Sequence, residues 1–290
     1  MKHLLIGAAA IALLTGCNKT DKPSNIGEVE LSDVTVRTGN AANAAEALAA
    51  MSLTDSASGV LSFASKDVSG ANATFTDLTL SGEEAVKVGS LVFEGLDMTD
   101  GKASFGKLSI SDITISDEDA AEGEMKLANI ELVNPSPELS AWMASALNGQ
   151  PTDFPSVENV LFDSWSISGL TGQFTEHDTV GAFGLDKIEI RDMKDMKAAR
   201  AQISGISLDV DDEDGPVKVN LGSMTMTNVD AKFVKAIQEN AGDEEALMAA
   251  IMDVAYDNPM DPGYDSFNLD DLSIAAAGVT FAMPSLVAGV

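Results

Sequence analysis

One short phrase of apolar and polar positions recurs along this chain: apolar-x-x-apolar-x-apolar. It is plainest between Val180 and Val229, as Leu185-Asp-Lys-Ile188-Glu-Ile190, Ile203-Ser-Gly-Ile206-Ser-Leu208 and Leu221-Gly-Ser-Met224-Thr-Met226. Further copies begin at Leu31, Phe75, Val88, Phe105, Leu127, Phe162 and Leu269, ten in all. Apolar residues two apart argue a strand with one buried face, and the Gly, Ser, Asp, Asn, Lys and Thr between them suit a wet outer face. The extra residue ahead of each alternating pair breaks the period of two, which predicts a β-bulge.

A longer period lies above the short one. Lys66 to Phe75 aligns with Trp165 to Phe174 at an offset of 99 residues, and Val88 to Leu96 with Leu185 to Met193 at 97. Phe105 to Ile110 aligns with Ile203 to Leu208 at 98, and Leu127 to Leu132 with Leu221 to Met226 at 94. Recurrence at a long interval is the mark of repeat architecture.

Helical spacing is confined to three places. These are Ala41 to Leu53, Pro137 to Leu147 with Leu139, Trp142, Met143 and Leu147 on one face, and Asp230 onward, where Phe233 and Ile237 start a stripe that Gly242 interrupts. The predicted fold class is α+β, predominantly antiparallel β, in tandem modules of about four bulged strands plus a short amphipathic helix. Module 1 covers 41–135, module 2 covers 136–229, and 230–290 opens a third that reads as truncated. In that third stretch Tyr264-Asp-Ser-Phe267-Asn-Leu269 echoes Phe162-Asp-Ser-Trp165-Ser-Ile167, and Met283-Pro-Ser-Leu286 stands where a second strand belongs. Leu31 to Val36 reads as a lead-in strand that pairs with a later one or starts the stack.

The chain has 290 residues, 45% of them hydrophobic, enough for a packed core. Its 46 Asp and Glu against 17 Lys and Arg, a net charge of -29, repel phosphate backbones and argue against nucleic acid as a partner. In an up-and-down meander the turns Ser81 to Glu84, Asp117 to Gly123, Glu176 to Asp178 and Asp211 to Gly215 share one end of the sheet and give it an acidic rim. Asp209, Asp211, Asp212 and Asp214 are candidates for attracting a divalent cation there. No register of that stretch makes a calcium loop, however, and a hairpin turn rich in Asp and Gly is the simpler reading. No metal site, cofactor or catalytic constellation is expected. The histidines are His3 and His177, no glycine-rich loop joins a strand to a helix, and the large ring systems available for substrate contact are Trp142, Trp165, Tyr256 and Tyr264.

At the amino end, Met1-Lys2-His3 is a short basic start and Leu4 to Leu14 an apolar run of 11 residues. That is too short to span a bilayer, which takes about 20, but fits an export signal. Leu14-Thr15-Gly16-Cys17 resembles the lipobox of bacterial lipoproteins. The resemblance implies that 1–16 is a signal peptide, that Cys17 is lipidated on sulfur and acylated on its new amino end, and that 17–40 holds the lipidated residue, a tether and the lead-in strand. Cys17 is the single cysteine, so no disulfide within the chain competes for it. Asn18, where an Asp would retain such a protein at the inner membrane, implies the outer membrane of a double-membraned bacterium.

The expected function is that of a non-enzymatic envelope lipoprotein whose repetitive β body binds or scaffolds, with the membrane as one partner and another envelope protein or a lipid as the second. The alternative is a hydrophobic-ligand or lipid carrier with an apolar β groove, a pattern similar in periodicity to envelope proteins built from repeated grooved sheets. A carboxylate-based hydrolase comes third. Whether helices cover the apolar face separates the first two.

Replacing Cys17 by Ser should move the protein from the membrane pellet to the soluble fraction. Intact-mass measurement should show acyl additions on the wild type and none on the variant; equal membrane retention of both would refute lipidation at this residue.

Overall fold

The computed structural model describes residues 29, 31–53, 61–80, 85–116, 124–147, 153–176, 179–211, 215–232, 235, 263–276 and 278–289. Cys17, His177, Asp212, Asp214, Tyr256 and all but the start of the helix expected from Asp230 lie outside the described residues.

The alternating stretches form β1 (Leu61–Ser62), β2 (Ser65–Ser69), β3 (Asn72–Leu80), β4 (Ala85–Glu94), β5 (Asp97–Thr99), β6 (Lys102–Ser104), β7 (Lys107–Ser116) and β8 (Glu124–Val133). They continue as β9 (Phe162–Glu176), β10 (Thr179–Lys194), β11 (Lys197–Asp211), β12 (Val217–Asp230), β13 (Ser266–Ala276) and β14 (Val279–Gly289). A hairpin of β5 and β6 stands apart; the others build one 12-stranded sheet in which β3 to β14 neighbour one another in chain order. Every pairing is antiparallel.

Among the described residues two complete α-helices accompany the sheet, α1 (Ala44–Ala50) and α2 (Pro137–Leu147), the second with the bounds its pattern predicts. α1 is shorter than Ala41 to Leu53. Ser52 takes a left-handed φ of 55, and Leu53 N–H donates to Leu48 O while Ser52 N–H donates to Ala49 O, both at 2.9 Å. That pair of bonds closes a helix by satisfying its last carbonyls. The fold is thus mostly antiparallel sheet with little helix among the described residues.

The extra residue of the repeated phrase is not a bulge. Between β3 and β4, Thr76 pairs with Ser90 and Leu78 with Val88, so Asp77 and Gly89 are both skipped and the register resumes unchanged. The same matched skip recurs at Asp112 and Ala128, Ala128 and Gly169, Gly169 and Asp186, Gly205 and Gly222, Gly222 and Asp271, and Asp271 and Pro284. A bulge sets two residues against one; here one stands against one, and a crease crosses the whole sheet.

A second crease lies six residues away on each strand. In or flanking β4 and β7 to β13 the pairs are Gly89 and Gly95, Gly106 and Asp112, Ala128 and Asn134, Asp163 and Gly169, Asp186 and Asp192, Ala199 and Gly205, Gly222 and Asn228, Asp265 and Asp271. In chain order the second member always has positive φ, between 49 and 70. It is Gly, Asn or Asp every time, the residues that enter the left-handed region at least cost. The first member is Gly, Ala or Asp, and small where its neighbour crowds it: a Cβ on Gly89 would lie 2.8 Å from that of Asp112.

Each crease shifts the alternation by one residue, so apolar positions three apart face the same way. Phe75, Leu91, Ile110, Ile130, Ile167, Ile188, Ile203, Met224, Leu269 and Leu286 are cross-strand partners in one unbroken row. Ala73, Phe93, Leu108, Leu132, Trp165, Ile190, Ala201, Met226, Phe267 and Ala288 form the next. Over β3 to β8 this inner face is packed. Phe75, Phe93 and Phe105 are fully buried with Leu48 and Met51, and the rings meet edge to face, Phe75 to Phe93 at 6.4 Å and Phe93 to Phe105 at 5.4 Å.

The expected lead-in strand joins no sheet. Residues 31–40 instead run across the strands along the second crease. Arg37 N–H donates to Asn134 Oδ1 and Asn134 Nδ2 to Thr35 O, both at 2.8 Å. The Arg37 guanidinium donates to Phe105 O at 2.7 Å, and that of Arg191 to Ser32 O at 2.8 Å. Left-handed Asn134 turns its side-chain amide toward the crossing segment, which therefore takes its bonds there and not from a ladder.

Asp112→Val should destabilise the protein by about 2 kcal/mol, because a β-branched side chain resists φ of 56. Asp112→Gly should be nearly neutral. Urea midpoints of the two variants check this; equal losses would show that the backbone conformation at the crease is not what selects the residue.

Candidate functional site

The inner face divides in two. Over β9 to β14 it is partly covered: Ile167, Leu170, Leu185, Ile188, Ile203, Ile206, Leu221, Leu269 and Leu272 are partly accessible, while Phe162, Met193, Ala198 and Met224 are buried. Phe281 is 55% and Val279 72% exposed. Their rows continue without a break from the packed half. At about 4.8 Å per strand and 3.3 Å per residue, this half of the face spans roughly 25 Å by 30 Å. Trp165 belongs to the covered part, in contact with the core, and Trp142 of α2 meets Phe154 edge on at 4.8 Å.

Two cross-strand glycine sites bear on the far end of this face. A Cβ on Gly172 would sit 2.3 Å from the Phe183 ring, and one on Gly181 would sit 2.1 Å from that of Phe174. Each ring lies over its glycine and covers backbone that would otherwise be bare.

The opposite face is polar. Ser90 and Ser111 share a hydrogen bond of 2.8 Å, and Thr227 and Ser266 one of 2.6 Å. Arg191 and Arg200 stand directly across from each other on β10 and β11. Glu189 binds Arg200 and, at 2.9 Å, Lys187, which offsets the crowding of like charge. Burial pushes the Glu189 carboxyl up, yet Lys187 and Arg200 together outweigh it and hold the group below its ordinary value of 4.5. Glu131 is likewise lowered against burial by Lys107, 2.6 Å away, helped by Ser109 and Asn129. A dent of about 870 Å³ lies on this face over Ala182 and Gly184, rimmed by Lys126, Gln173 and Lys218. Its lysines are held by Glu124 at 2.8 Å and Asp209 at 2.6 Å.

Of the acidic candidates, Asp209 is therefore engaged with Lys218, and Asp211 closes β11 opposite Val180. No group of three or more His, Cys, Asp or Glu among the described residues is placed to hold a metal ion. Nothing in the spacing of Glu189, Arg191 and Arg200 marks them as a group; their meeting depends on the β10–β11 register, set by the hairpin that pairs Met193 with Ala198.

No protein-family model matches the chain, and neither a curated protein nor a solved structure does.

Glu189→Gln should cost about 1.5–3 kcal/mol at pH 7, the worth of hydrogen bonds to a charged group. A carboxyl lowered in the fold contributes its stability fully above the unfolded value, 4.5, and loses it as pH falls through the folded value. The wild type should therefore lose its advantage over the variant below that pH in denaturation series; a gap that stays constant to pH 2 would contradict the assignment.

Proposed function

We propose that this protein is a lipid-tethered carrier of hydrophobic ligands, with acyl chains lying on the open inner face of β9 to β14. What carries the reading is the continuity of that face: the apolar rows that build a core over β3 to β8 run on over β9 to β14 with no change in residue type, most of their positions there being partly accessible. Burying about 300 Å² of such surface is worth roughly 7 kcal/mol at about 25 cal/mol per Å², enough to hold a lipid.

The tandem modules belong to the same proposal. The first-crease residues relate β3, β4, β7 and β8 to β9, β10, β11 and β12: Asp77 to Gly169, Gly89 to Asp186, Asp112 to Gly205, Ala128 to Gly222. The intervals are 92, 97, 93 and 94 residues. On this reading Ile203-Ser-Gly-Ile206 matches Ile110-Ser-Asp-Ile113, five residues from the alignment suggested by Phe105, and β13 and β14 open a third module. Repetition of this kind lengthens one surface and adds no separate site.

Lipidation of Cys17 and an outer-membrane position complete the proposal, supported by the lipobox. Arg191 ties Ser32 to β10, so the tether departs from the open half. From Cys17 to Leu31 the chain reaches at most about 50 Å at about 3.5 Å per residue, which keeps the apolar face near the anchoring bilayer.

Native mass spectrometry after mild detergent extraction should show bound lipid. Ile206→Asn combined with Leu272→Asn should lower its occupancy about tenfold, with the melting temperature little changed because both positions are partly accessible. Lipid-free wild type would instead favour the scaffolding reading.

A further inference from the structure

We infer that Arg191 and Arg200 form a binding site for a small oxyanion of the phosphate class on the polar face of β10 and β11. The site lies apart from the apolar face and stands whether or not lipid binds there.

In a chain with 46 Asp and Glu, 17 Lys and Arg and a net charge of -29, a local surplus of cations is out of keeping with the whole. Arg191 and Arg200 are nonetheless direct cross-strand partners, an arrangement that like charges disfavour. Lys187 joins them, and Glu189, which binds Lys187 and Arg200, is the one carboxylate that answers all three. Arg191 forms no ion pair among the described residues. The acids nearest it in register, Asp163 and Asp192, are engaged by Lys194 at 3.9 and 3.6 Å, and its guanidinium donates instead to a neutral acceptor, Ser32 O, at 2.8 Å.

The donors are unfilled as well as the charge. Nε of Arg191 and Nε of Arg200 are both buried without a hydrogen-bond partner. Buried donors are almost always satisfied, and where the protein leaves them bare an ion or a water completes the set. The Arg200 side chain is still 29% exposed, so a small ligand reaches the guanidinium from outside. Ser164 stands opposite Arg191 and Thr227 opposite Arg200, which places a hydroxyl on either side of the pair. Two positive charges are left over, as a doubly charged ion requires, and guanidinium forks match phosphate oxygens in geometry. The chain's net charge turns an anionic bilayer away, so the ion comes free from solution.

Equilibrium dialysis of the full chain against labelled inorganic phosphate, at about pH 8 where the ion is doubly charged, should show one site with a dissociation constant of about 1 mM or tighter. Arg191→Gln should weaken binding at least about tenfold. Because that change also releases Ser32, Ser164→Glu is the second variant: it supplies the missing carboxylate opposite Arg191, and should abolish phosphate binding while raising the melting temperature in phosphate-free buffer. No retention by the wild type at about 10 mM phosphate would mean that water fills the donors, and overturns the inference. Retention that either variant leaves unchanged does the same. Flotation of the Cys17→Ser chain with phosphatidylglycerol vesicles, lost on adding Arg191→Gln, overturns the assignment to a free ion.

Discussion

A backbone constraint governs this protein: β4 and β7 to β13 each bend twice, six residues apart in or beside the strand, and the second bend in chain order needs a left-handed residue. Only Gly, Asn and Asp meet that need at low cost, and they occupy the position from Gly95 to Asp271. Because both partners skip one residue together, the ladder survives each bend. The inner rows then stay apolar over ten strands, although no strand alternates strictly along its length.

The polar side follows from the same arrangement. Once the inner face takes the apolar residues, hydroxyls and charges fall on the outer one, where Ser and Thr pair across strands and Glu131 and Glu189 gather the nearest cations. All three arginines meet the second crease or the segment lying in it. Arg37 donates there to the carbonyls of Phe105 and Pro135, Arg191 to that of Ser32, and Arg200 binds Glu189. The crossing segment 31–40 is held there in the same way, by side chains reaching out of the bend.

Packing divides the sheet unevenly. Four phenylalanines, Phe63, Phe75, Phe93 and Phe105, with Leu48 and Met51 beside them, close the inner face over the early strands. Rows of the same composition continue over the later strands with partial cover. The packed and the partly accessible halves are thus made of one material, and the difference lies in what rests upon them.

Much was legible from the chain alone. The apolar-x-x-apolar-x-apolar phrase marked the strands, Pro137 to Leu147 marked a helix to the residue, and the interruption of the period showed that something happens once per phrase. These are local properties, written in the spacing of side chains and in where Gly and Asp recur. What the chain could not reveal is whether the interruption on one strand is matched on the next, since a bulge and a crease look alike until two strands are set in register. The same limit applies to Leu31 to Val36, whose strand-like pattern lost to bonds offered by Asn134 and Arg191, and to Arg191 beside Arg200, brought together by pairing. Cover over an apolar face is likewise decided by residues distant in sequence, because burial belongs to a site in space and not to a position along the backbone.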